Sequence, residues 1–128
     1  MPKPFDPRET TMKYVVLTCA LLTTTALAHE SKGPNGGRQV DAGKNHVELV
    51  AQGSTLEVYV SDAAGKPLDP SAFKGVAILV VNGKPARIQL SPSSDKLVGK
   101  AQTEISNTVK GAIQITDAMG VTSQAKFD

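Results

Sequence analysis

From Asn45 to Phe127 the apolar residues recur at every second position, and that period leaves few folds open. "NHVELVA" puts Val47 and Leu49 on one side and His46 and Glu48 on the other. "TLEVYV" turns Leu56, Val58 and Val60 inward and Glu57 and Tyr59 outward. "ARIQL" repeats the pattern with Ala86, Ile88 and Leu90, and "TVKGAIQIT" with Val109, Gly111, Ile113 and Ile115. "VTSQAKF" does so with Val121, Ser123, Ala125 and Phe127. Alternation of this kind marks strands with one face on a core. "KGVAILVVNGK" differs, being apolar on both faces and rich in β-branched residues. It suits a central strand that ends at the turn pair Asn82-Gly83. "KLVGK" reads as an edge strand whose lysines discourage further pairing. Asp117 to Gly120 joins the last two strands as a hairpin, and "DPSAF" (Asp69 to Phe73) makes one helical turn at most.

About seven strands separated by turn signals predict an all-β fold, an antiparallel immunoglobulin-like sandwich, with a Greek-key barrel as the alternative. Tryptophan is absent and aromatic residues make up only 4% of the chain. The core must therefore be built from valine, isoleucine and leucine.

Ahead of the strands the chain changes character. Residues 1–11 read as an unstructured extension, with Met12-Lys13 as the expected start of translation. Residues 12–28 read as a signal peptide. "YVVLTCALLTTTAL" carries no charge, is shorter than the roughly 20 residues that cross a bilayer, and ends at the small-residue site Ala26-Leu27-Ala28. Cleavage after Ala28 would export the chain to the periplasm, leave no membrane insertion, and discard Cys19, the single cysteine. Residues 29–44 form a Gly/Pro-rich arm with one short strand near Arg38 to Asp41, and residues 45–128 form the β-domain. The formal net charge of +2 falls to about +1 once Lys3, Arg8, Lys13, Asp6 and Glu9 are set aside. That balance offers no field for nucleic acid or anionic lipid.

The first ribbon carries the candidate chemistry. A two-residue loop at Gln52-Gly53 would pair Leu49 with Leu56 and Val47 with Val58. His46 would then face Tyr59, and Glu48 would face Glu57, on the outer side. Opposed glutamates repel unless a lysine, water with salt, or a metal ion lies between them. One imidazole and two carboxylates suit copper(II) or another divalent metal; the same residues also fit a solvated strand face. His29, freed by cleavage, would offer an amine and a ring nitrogen. With His46 it makes a nitrogen-rich set for copper(II), and it equally fits a frayed terminus. Tyr59 and Val50, exposed on that face beside the arm, are candidates for contact with a protein partner. No phosphate loop and no nucleophile–base pair is present, so an enzyme is not expected.

"GPNGGRQVDAGKNHVELV", "LEVYVSDAAGKPLDP" and the closing "AKF" resemble small exported proteins of Gram-negative bacteria. They also resemble the N-terminal β-domain of periplasmic adaptor subunits of heavy-metal efflux pumps. The resemblance spans most of Gly33 to Phe127. It implies a periplasmic β-sandwich that handles copper or another heavy metal beside an efflux or envelope protein. Members of that group often carry histidines just before the Gly-Pro, where this chain has Ser31-Lys32. A looser similarity, resting on the leading histidine, is to periplasmic copper carriers of immunoglobulin-like fold.

Overall fold

The computed structural model describes residues 30–128. The expected signal peptide, Cys19 and His29 lie outside the described residues.

The described chain is all-β and antiparallel, as the alternation predicts. It forms nine strands: β1 (Ser31–Lys32), β2 (Arg38–Ala42), β3 (Asn45–Gln52), β4 (Thr55–Ser61), β5 (Lys74–Val81), β6 (Lys84–Ser93), β7 (Lys96–Lys100), β8 (Lys110–Thr116) and β9 (Thr122–Phe127). All nine belong to one sheet in the order β1-β2-β3-β4-β7-β6-β5-β8-β9. The expected seven-stranded immunoglobulin-like sandwich is therefore corrected to one strongly curled sheet, a half-barrel. The hydrogen-bonded order is unbroken because β6 belongs to both halves. Residues 84–90 pair with β5, while Ser91, Pro92 and Ser93 pair with Val98, Leu97 and Lys96 of β7. Alternation fixes which side of each strand faces the core. It does not tell two separate sheets from one sheet folded over itself.

The interior is a single cluster, and its largest fully buried side chains include Phe127, Leu56, Leu79, Leu97 and Ile113. The inward residues read from the sequence in β3, β4 and β8 are buried, apart from the half-buried Gly111. Ala86 and Ser123 are only half-buried, and Val121 is 59% exposed. Ala86 and Ser123 lie near the starts of their strands, and Val121 lies just ahead of β9. β7 is not an edge strand, since it lies between β4 and β6. Asp69 caps a short 3-10 turn, Pro70–Ala72, by accepting from the Ser71 amide at 2.9 Å and the Ser71 hydroxyl at 2.7 Å. These bonds, the hydroxyl's foremost, hold its carboxyl below the ordinary value.

The curl brings β2 beside β9. Arg38, at the start of β2, ties this seam. Its guanidinium donates to Glu30, to the backbone carbonyl of Val109, and to that of Asp128 at 3.1 Å. It also lies 5.4 Å from the centre of the Phe127 ring, within cation–π range. The Arg38 hydrogen bond holds the Glu30 carboxyl below its ordinary value.

Candidate functional site

The turn between β3 and β4 sets the geometry of the outer face. It consists of Gly53 and Ser54, with Gly53 in the left-handed region at φ 60°. Gln52 pairs with Thr55, so Leu49 faces Val58, Glu48 faces Tyr59, Val50 faces Glu57 and His46 faces Ser61. The expected register, built on a Gln52-Gly53 loop, is thus displaced by two residues. A shift of two leaves every side chain on its own face, so the apolar pattern cannot detect it. Long-range bonds fix the turn: the Gly53 carbonyl accepts from Ile105 and the Ser54 carbonyl from Ala101, each at 2.8 Å.

Glu48 points to the outer face and is nevertheless only 2% exposed. The chain just ahead of β2 folds over it. Gly33 and Gly37 close a tight turn through a 2.8 Å backbone bond. The Glu48 carboxylate accepts from the Asn35 amide at 2.9 Å, the Asn35 side chain at 2.9 Å and the Gly37 amide at 2.7 Å. Backbone N–H groups converging on one anion form a nest that neutralises a buried carboxylate. Approach is so close that a Cβ on Gly37 would lie 2.3 Å from the Leu49 carbonyl oxygen, and one on Gly33 would lie 2.2 Å from the Glu48 carboxyl carbon. The "GPNGG" motif is therefore the cover of a buried glutamate.

Glu57 is not opposite Glu48. Its countercharge is a lysine, one of the three possibilities the sequence left open. Lys96 of β7 lies 3.3 Å from Glu57 Oε1 and donates to the Tyr59 hydroxyl at 3.5 Å. Tyr59 in turn donates to Glu57 at 3.2 Å, and the Lys96 ammonium sits 5.7 Å from its ring centre. Burial raises the Tyr59 hydroxyl above its ordinary value despite the bond from Lys96. Hydrogen bonds to Tyr59 and then Glu57 raise Lys96 above its own. Lys96 was legible only as a charge on a supposed edge. Its role depends on β7 lying beside β4, a long-range pairing that no local pattern announces.

His46 faces Asp41 across the β2–β3 ladder, and its Nδ1 lies 2.6 Å from Asp41 Oδ1. Its Nε2 lies 3.4 Å from the Ala63 carbonyl oxygen. The His46 side chain is 27% exposed and that of Asp41 74%. Val50 is half-buried under Gly37. The structure thus shares out the candidate residues: Glu48 to the glycine turn, Glu57 and Tyr59 to Lys96, His46 to Asp41. Among the described residues no group of three His, Cys, Asp or Glu side chains stands close enough to hold a metal ion. No buried side-chain nitrogen or oxygen lacks a hydrogen-bond partner among them either. A surface hollow of about 640 Å³ between the β5–β6 turn and the end of β7 contains none of the candidate residues. Among the described residues no helix is long and apolar enough to cross a membrane.

No protein-family model, no curated protein and no solved structure matches this chain.

Proposed function

We propose that this chain is an exported, periplasmic accessory module of copper or other heavy-metal handling, and that it works by docking on an efflux or envelope partner. The observation that carries the preference for docking over coordination is the state of the two carboxylates. Glu48 is enclosed by three donors, and Glu57 is neutralised by Lys96. An incoming ion would have to displace those partners, leaving buried donors unpaired. The link to metal handling rests on the sequence resemblance to the β-domain of efflux adaptors. The reading involves no catalytic step.

One observation favours a second reading, a weak copper(II) site. The His46–Asp41 pair lies at the surface, and an imidazole beside a carboxylate is a donor set that a terminal histidine at position 29 would complete. Calorimetric and paramagnetic-resonance titration of the exported protein with copper(II) separates the two, after its mass has located the first residue. Docking without coordination predicts binding no tighter than the micromolar range, unchanged in Glu57→Gln. Stoichiometric sub-micromolar binding, with nitrogen hyperfine couplings lost in His46→Ala, would establish the metal site instead.

A further inference from the structure

β5 is flanked by long ladders on both edges and carries apolar residues on both faces. Its inner residues Ala77 and Leu79 are fully buried. Its outer residues Val76, Ile78 and Val80 are not: the first two are half-buried and Val80 is 51% exposed. A strand with this composition is ordinarily covered on both sides, and here the outer side of the curl leaves it open.

The ladders state what surrounds that stripe. Ile78 lies between Arg87 of β6 and Ala112 of β8, with Lys126 of β9 next in the same row. Val80 pairs with Lys110, and Lys74 continues the outer row of β5 at its other end. Val76 lies between Gln89 and Gln114. Four cations therefore frame three aliphatic side chains. None of the four forms an ion pair among the described residues, whose ion pairs involve Arg38, His46 and Lys96. No acidic side chain occupies a paired position on this face; Asp128 stands just past the end of β9.

We infer that the outer face of β6-β5-β8-β9 docks an acidic polypeptide surface with an apolar ridge, the ridge on Val76, Ile78 and Val80 and its carboxylates on Arg87, Lys110 and Lys126. This rests on the docking reading above and names its surface. Charge selects the occupant. A second copy of the chain related by a twofold axis would bring the same cations together, and like charges across an interface are costly. A lipid surface is served poorly, because the ladder positions of this face carry no tyrosine, tryptophan or phenylalanine to anchor at the headgroup level.

The test is a titration of the isotope-labelled protein, followed by amide resonances, with a synthetic peptide of alternating glutamate and leucine. A lysine–leucine peptide and vesicles of equimolar phosphatidylcholine and phosphatidylglycerol serve as comparisons. The expected result is salt-sensitive shifts confined to residues 74–80, 85–89, 110–114 and 124–126. Affinity should fall about tenfold or more in the double variant Arg87→Glu/Lys126→Glu, whose fold is checked by its unchanged remaining spectrum. Absent or scattered shifts, an equal response to the lysine peptide, or a response to vesicles alone would each overturn the proposal. An envelope partner that binds this variant as tightly as the original protein would overturn the surface and leave docking intact. Localised peptide binding with no periplasmic partner retained would support the surface and remove the docking reading.

Discussion

At the scale of single residues, Glu48 shows how a polar side chain on an alternating strand can escape solvent. The sequence places it correctly on the outer face and gives no sign of its burial. That sign lies eleven to fifteen residues upstream, in glycines whose missing side chains let the turn settle on the Glu48 side chain and the Leu49 backbone. Glu48→Ala leaves the Asn35 and Gly37 amides without their acceptor and should cost about 2–3 kcal/mol, read as a lower urea midpoint. Glu48→Gln keeps the shape but turns an amide nitrogen toward donors, and should cost about 1–2 kcal/mol. Gly37→Ala, which drives a methyl into the Leu49 carbonyl, should cost about 1–3 kcal/mol without touching any charge. If Glu48→Ala leaves the midpoint unmoved, the carboxylate is not what holds the turn.

Among the elements, strand identity and the local hairpins β3–β4 and β8–β9 were legible, and the long-range partnerships were not. β3, β4, β6, β8 and β9 each have a run of alternating residues, because a pleated backbone sends neighbours to opposite faces, while β5 is marked by a continuous apolar, β-branched run. β1 has only two residues, too few for any period. The placement of β7 between β4 and β6, and hence the pairing of Lys96 with Glu57 and Tyr59, depends on ladders that join residues about forty apart. Across the contact of β2 with β9 reaches Arg38, a residue the alternation could only mark as polar. Arg38→Ala should lower stability by about 2 kcal/mol and speed hydrogen exchange at β2 amides before those of β5. Arg38→Lys should recover only part of this, since a single ammonium cannot meet Glu30, Val109 and Asp128 in their separate directions. Full recovery by lysine would show that charge alone closes the seam.

For the molecule as a whole, stability should fall at both ends of the pH scale, for opposite reasons. Tyr59 and Lys96 have folded values above their unfolded ones, so the folded state holds those protons more tightly. Their contribution is complete below about pH 10, the unfolded range of these groups, and is lost as pH rises through the folded values. Glu30 and Asp69 are lowered, so theirs is complete above about pH 4.5 and is lost as pH falls through the folded values. Urea midpoints taken across pH should show both slopes; Tyr59→Phe, which removes one raised group and the leading cause of the rise at Lys96, should flatten the alkaline one, and Glu30→Gln the acidic one. A further consequence follows from the guanidinium at the seam. Since Glu30 and Asp128 both bond to Arg38, the two ends of the described fold meet at one point, and the described residues nearly close into a ring. A short glycine-rich bridge there, with the backbone opened at the exposed turn around Gly65, would give a circular permutant whose nine strands keep every neighbour they have now.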